Sequence, residues 1–199
     1  MKSASRSAGR QRQHRAAWPS AAIRVHARYG APPERVFDAW VETGTAAKWL
    51  FATATRPSAR VAIDARVTGA FRFVEAREHG GLEHCGQYVE VASPRRLVFS
   101  LVRSDRPRAA TRVTVRIEPY GLGCKLSLVH EQVPLDLVLI TETRWIGMLY
   151  GLGVTLGSVA RHPQSNGLSF TPEIVLPRLA PVRAAPLGNA QPSPNPRSQ

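Results

Sequence analysis

Residues 135–160 read LDLVLITETRWIGMLYGLGVTLGSVA, the longest apolar run in a chain of 199 residues. Within it Trp145, Leu149, Leu152, Leu156 and Val159 follow at spacings of four, three, four and three, which stacks them on one face of a 3.6-residue spiral. The spacing predicts a helix with one face committed to a partner. Gly147, Gly151, Gly153 and Gly157 interrupt the same run, and each costs a helix about 1 kcal/mol relative to alanine. Packing must supply what propensity does not. Such a segment is either a helix lying on a sheet, its glycines giving close backbone approach or room for a ligand, or a membrane segment with small-residue contacts. Only sixteen uncharged residues separate Arg144 from Arg161, about 24 Å of helix against a hydrocarbon core of roughly 30 Å. A sheet-bound helix is therefore expected, and no membrane span.

Upstream, the chain has the pattern of a surface that would receive this helix. Ile23, Val25 and Ala27 alternate with Arg24, His26 and Arg28, the period of two of a half-buried strand with His26 facing solvent. Pro33 then suits the first turn of a helix, Glu34 complements its positive end, and Val36, Phe37, Trp40 and Val41 form an apolar face ended by Gly44. A second short helix over 45–51, capped by Thr45, presents Trp49 and Leu50. Six strand-like segments follow, at 60–64, 70–75, 86–91, 96–103, 112–118 and 125–129, separated by Gly, Pro or charged turns. Val113, Val115 and Ile117 oppose Arg112, Thr114 and Arg116; Leu126, Leu128 and His130 oppose Lys125, Ser127 and Val129; Phe71 and Phe73 oppose Arg72. One face is apolar and one polar, as in an antiparallel sheet covered on one side. The inward set around Tyr88, Val89 and Val91 stays open. The expected fold is α+β, an antiparallel sheet curved around the last helix.

This organisation divides the chain into a basic tail over 1–20, one domain over 21–160 and a Pro-rich tail over 161–199. The first twenty residues hold five basic and no acidic groups and one large apolar side chain, Trp18, too little to offset ordering entropy. The last 39 contain eight prolines, which forbid a continuous helix or central strand, and are expected to be a disordered tail; the brief apolar island at 174–179 is more simply part of that tail than a docking motif. The net charge of +13 looks like a nucleic-acid signal until it is divided, because the two tails carry eight of those charges. Nucleic acid is not an expected partner. Cys85 and Cys124 lack any paired-cysteine spacing and read as reduced thiols of a cytoplasmic protein. No phosphate loop, nucleotide fingerprint, ordered Ser-His-Asp set or zinc site is present, so neither cofactor nor metal is expected.

A resemblance covers about residues 22–158. Ala31-Pro32-Pro33-Glu34-Arg35-Val36-Phe37-Asp38-Ala39-Trp40, then Lys48-Trp49-Leu50, then Asp64-Ala65-Arg66-Val67-Thr68-Gly69-Ala70-Phe71-Arg72-Phe73 form its first part. Gly86-Gln87-Tyr88-Val89-Glu90-Val91, Ser93-Pro94-Arg95-Arg96-Leu97-Val98-Phe99, Gly121-Leu122-Gly123-Cys124-Lys125-Leu126 and Trp145 with Leu149 and Leu152 complete it. Taken in order, these segments resemble the activator of heat-shock-protein-90 ATPase homologue-like group of the START-like (SRPBCC) superfamily. The resemblance implies a helix-grip fold, in which a seven-stranded antiparallel sheet grips the last helix around a cavity that in many relatives accepts hydrophobic small molecules. Thr68, Cys124 and Arg144 depart from the group's usual glycine, threonine and glycine.

The chemistry expected at that cavity follows from the inward set. Its wall would be Phe71, Phe73, Tyr88, Phe99, Leu101, Val115, Leu128, His130, Trp145, Met148, Leu149 and Leu152, with Tyr88 and His130 as polar handles. His130 falls on the apolar face by alternation, yet no nucleophile or acid stands at a recognisable offset, and a structural histidine is the simpler reading. His84 and Cys85, with Glu83 and His79, form a loose polar cluster whose adjacent members point to opposite faces, against shared metal ligation. Asp64 and Arg66 ahead of Gly69 read as a turn-fixing pair. The expected function is binding of a small hydrophobic ligand, with no catalytic residue assigned. The alternatives are a co-chaperone-like regulator of the heat-shock ATPase, acting through a protein partner, and a polyketide cyclase or dehydratase-like enzyme using the same cavity.

Overall fold

Alternation at period two builds one antiparallel sheet. The structure, a computed structural model, describes residues 19–52, 58, 60–77, 80–157 and, as backbone, 171–175. In chain order the elements are β1 (Ser20–Tyr29), α1 (Pro33–Val41), α2 (Thr43–Ala46), β2 (Arg60–Ile63), β3 (Ala70–Arg77), β4 (Gly80–Ala92), β5 (Arg96–Arg103), β6 (Arg106–Tyr120) and β7 (Gly123–Pro134). A 3-10 turn at Leu135–Leu137 leads into α3 (Val138–Thr155), and β8 (Thr171–Val175) closes the order. The strands lie as β2-β3-β4-β5-β6-β7-β1-β8, every pair antiparallel. Consecutive hairpins explain β2 to β7, and β1 returns beside β7.

Register places the apolar residues in layers on one face. Val113 stands opposite His130, Val115 opposite Leu128 and Ile117 opposite Leu126, while Val25 meets Leu128 from the other side. These side chains are buried, as are Phe71, Phe73, Leu97, Phe99 and Leu101 farther along the sheet. The open question at β4 resolves with Tyr88 inward opposite Phe99 and Val89 outward, next to a bulge that shifts the register between Tyr88 and Glu90. The Asp64–Arg66 pair is an exposed ion pair at 2.8 Å that closes the β2–β3 turn. Gly69 is required there, because a Cβ at that position would stand 2.1 Å from the Asp64 carbonyl oxygen.

α3 lies across this face as its spacing predicts. Trp145, Leu149, Leu152 and Leu156 are buried, and the Tyr29 hydroxyl of β1 donates to the Leu149 carbonyl at 2.9 Å. The helix ends at Gly157, whose φ of +68° is the left-handed conformation glycine supplies after a last turn. Among the other glycines, Gly151 receives Trp49, whose Cβ lies 3.5 Å from the position a Cβ would take, whereas Gly147 faces open space. Leu135–Thr155 does reach the length and apolarity of a membrane span. Packing of Trp145, Leu149 and Leu152 on the sheet, rather than shortness, is what assigns it to the domain.

Three local expectations need correction. Glu42, not Gly44, ends α1, and Gly44 sits inside α2, where the Thr45 hydroxyl donates to the Glu42 carboxylate at 2.8 Å instead of capping a helix start. His26 is half-buried and 2.9 Å from the Ser127 hydroxyl. Thr171–Val175, which the sequence places in a structureless tail, pairs with Ala22–His26 as an eighth strand. Its Pro172 marks it as an edge strand, where sheets tolerate proline. Residues 1–18, Val159 and the rest of the island at 174–179 lie outside the described residues.

Candidate functional site

Between sheet and helix the space is largely closed by aromatic side chains. Trp40 from α1 and Trp49 from the turn after α2 meet edge to face at 4.7 Å between ring centroids, and Trp40 reaches Trp145 at 6.2 Å and Phe99 at 6.3 Å. Phe71 contacts Phe73, Tyr88 and Phe99 at 5.3–6.0 Å. A cavity of only about 10 Å³ remains among Phe71, Phe73, Tyr88, Phe99 and their neighbours. Val115, Leu128, Leu149 and Leu152 are wholly buried. Eight of the twelve positions expected to wall a cavity are thus packed core. The two tryptophans brought down by the helical segment fill the volume that the inward strand residues leave.

The remaining four, Leu101, His130, Trp145 and Met148, line a separate cavity of about 60 Å³ toward the β5–β6 hairpin and the start of α3. Here His130 is fully engaged. The Trp145 indole N–H donates to His130 Nδ1 at 2.9 Å, which leaves the proton on Nε2, 2.7 Å from the Thr111 hydroxyl. Thr111 passes its own proton to the Leu101 carbonyl at 3.0 Å. Every donor in this relay has one acceptor, so the neutral imidazole with its proton on Nε2 is the state the network fixes. Burial lowers the His130 pKa to about 3. A general base needs a free lone pair, and both ring nitrogens of His130 are already bonded.

A second buried polar cluster lies on the neighbouring strands. Glu75 Oε2 accepts from His84 Nε2 at 3.0 Å and from the Arg144 guanidinium, and Arg77 stands 3.5 Å from Oε1. Burial alone would push the Glu75 carboxyl upward, but the bonds from His84 and Arg144 hold it below its ordinary value. Burial likewise holds the His84 imidazole near 4 despite the pull of Glu75. An ionised Glu75 accepts only, so His84 carries its proton on Nε2, and its Nδ1 has no partner among the described residues. Phe51 stacks on the His84 ring with centroids 4.0 Å apart. The sequence carried a signal for this cluster, since the period that turns Phe71 and Phe73 inward also turns Glu75 inward. Its neutralising partner is Arg144, from α3. Glu83 points to the outer face, bonded to Arg72 at 2.5 Å, so the histidine and carboxylate adjacent in sequence do not converge. Cys124 is wholly buried, and burial, with Glu34 nearby, pushes its thiol up to about 11, which favours the protonated form.

A groove of about 730 Å³ lies between the turn after α2 and the flank of α3. Trp49, Phe51, Ala52, Ile140, Met148, Tyr150 and Val154 give it apolar walls, and Lys48, Glu75 and Arg144 add charge. Phe51, Arg144 and Met148 line both this groove and the 60 Å³ cavity, forming the partition between them. Phe51 is held there by its N–H, which lies 3.2 Å from the Met148 sulfur, at a φ of +54° that is unusual for a bulky residue.

An antiparallel sheet gripping one long helix, with small helices after the first strand, defines the helix-grip class. Within that class, a sequence model described as "Activator of Hsp90 ATPase homolog 1-like protein" matches residues 30–157. The chain belongs to this family. Solved structures agree on the fold. A Chromobacterium violaceum protein is 26% identical, with 67% of this chain and 94% of that chain covered at a TM-score of 0.58. A Rhodobacter sphaeroides protein is 19% identical, with 71% and 95% covered at 0.60. An HSP90 activator from Plasmodium falciparum is 21% identical, with 70% and 98% covered at 0.56. No curated protein sequence matches.

Proposed function

We propose that the chain binds a small hydrophobic molecule in the groove between the turn after α2 and α3. The observation that carries this reading is the groove's volume, about 730 Å³, within the several-hundred to roughly 1,000 Å³ range of small-molecule sites. Its composition supports the same reading, since apolar walls with a few charged groups at one side give affinity and orientation together. The ligand is bound beside the packed aromatic core rather than inside it. No reaction is assigned, because His130 has both nitrogens engaged and Cys124 is held protonated.

Titration of the purified protein with the fluorescent probe N-phenyl-1-naphthylamine tests this. Saturable binding is expected, and Gly151→Leu should weaken it by about tenfold, the equivalent of 1.4 kcal/mol. A Cβ at position 151 would stand 3.5 Å from the Trp49 Cβ, an ordinary contact, and the loss counts only where the variant keeps the parent's far-ultraviolet spectrum and urea midpoint. Binding that is absent in the parent protein, or unchanged in the variant, overturns the reading. The family description and the likeness to an HSP90 activator favour a second reading, a regulator of the heat-shock ATPase acting in the cytoplasm. Stimulation of that ATPase by the purified chain distinguishes the two.

A further inference from the structure

α3 has an outer face that nothing among the described residues covers. Its exposed residues are Leu139, Ile140, Thr143, Gly147, Tyr150 and Val154. None is charged, in a chain with 27 basic and 14 acidic residues. Leu139 is 73% exposed, Ile140 55%, Val154 54% and Tyr150 50%. The spacing from Leu139 through Thr143, Gly147 and Tyr150 to Val154 is four, four, three and four, a second helical stripe opposite the one that packs on the sheet. The charged residues of the helix, Glu142 and Arg144, sit half-buried at the flanks instead. This inverts the usual arrangement of a surface helix.

We infer that this face pairs with the same face of a second copy of the chain, α3 against α3 about a twofold axis near Gly147. Area is the first argument. With Leu135, 47% exposed, the apolar residues of the stripe present on the order of 500 Å² per copy, in the upper part of the roughly 300–600 Å² range of the largest patch on a monomer, a patch that is often functional. Doubled across a twofold, the patch reaches about 1,000 Å², the lower bound of a specific interface. Charge is the second. An uncharged stripe cannot select a partner by electrostatic complementarity, but it meets its own image without repulsion, as an isologous contact requires. Gly147 supplies the third, because no described atom lies within 4 Å of where its Cβ would stand. The helix backbone is therefore open at the centre of the stripe, where a second helix can approach closely. Ile140, Tyr150 and Val154 also wall the groove, so the partner helix would cover the groove's open side.

Sedimentation velocity of the full chain is the test. The expected species is a dimer of about 44 kDa, twice the 21.8 kDa chain. Leu139→Asp, at a position that does not line the groove, places an acid in the first turn where helices favour it and should shift the mass to the monomer with an unchanged far-ultraviolet spectrum. Gly147→Cys should form an intermolecular disulfide under mild oxidation, whereas the parent protein should not. A monomeric parent protein overturns the inference, including one that pellets with phosphatidylserine vesicles, which would assign the face to lipid. A Leu139→Asp protein that stays dimeric overturns it as well. Pairing and groove occupancy separate when the probe is titrated against the monomeric Leu139→Asp protein, whose groove is uncovered: binding there keeps the groove reading whatever the parent's mass, and no binding there removes it while the parent's dimer keeps the pairing.

Discussion

Trp145 and His130, both buried, each complete the other's hydrogen bonding. Trp145 gives the helix stripe its largest side chain and gives His130 a donor; His130 passes its own proton to Thr111. Trp145→Phe keeps most of the apolar volume but strands His130 Nδ1. An unpaired buried acceptor costs about 1–3 kcal/mol, and the smaller ring adds a packing loss. The urea midpoint of Trp145→Phe should fall accordingly with secondary structure retained, and an unchanged midpoint would mean that the indole bond carries no weight. The sequence placed His130 on the inner face correctly. It did not reveal the bonding, because Trp145 is fifteen residues away and Thr111 nineteen, and only the β6–β7 register with the crossing of α3 brings the three together.

At the scale of the element, α3 carries two stripes with opposite meanings. Leu149 and Leu152 are wholly buried against the sheet, and Leu139 lies in the open. Leu149→Ala should cost about 2–5 kcal/mol by chemical denaturation. Leu139→Ala should stay within about 0.5 kcal/mol for the monomeric fold, as surface changes do. Similar losses at both positions would contradict the assignment of the faces. The inner stripe was legible from spacing alone. The outer one has the same periodicity, and which stripe meets the sheet depends on where β7 hands the chain to the helix. The glycines divide in the same way: Gly151 receives Trp49, Gly147 lies open, and Gly157 ends the helix.

At the scale of the whole molecule, two of the described histidines, His84 and His130, are held neutral in the interior, and they shape its response to acid. His130 is lowered to about 3 and His84 to about 4 by burial, against an ordinary value of about 6.5. Below that ordinary value the unfolded chain binds protons that the folded chain refuses. Unfolding free energy therefore rises with pH through this window and is lost as pH falls. Glu75 acts in the same direction at lower pH, because its carboxyl is held below its ordinary value in the fold. The urea midpoint should be steady near neutrality and drop between about pH 6 and pH 4. The loss should reach several kcal/mol in all, since each tenfold difference in proton affinity between folded and unfolded chain is worth about 1.4 kcal/mol. A midpoint that rises on acidification would overturn the neutral assignment of both histidines.

What the sequence determined by itself is the set of elements up to α3 and, β4 apart, the face each one buries; β8 it did not show. Those follow from local periods, two for the strands and 3.6 for the helix, which neighbouring residues impose on one another. The tertiary structure decided where empty space remains. Phe71, Phe73, Tyr88 and Phe99 read equally well as a cavity wall or as core, and Trp40 and Trp49, arriving from a distant segment, make them core. It also joined Glu75, His84 and Arg144 into one buried cluster and left a groove beside it. Volume belongs to the whole packing: each side chain's size is written in the sequence, but the gap between two side chains depends on every element that approaches them.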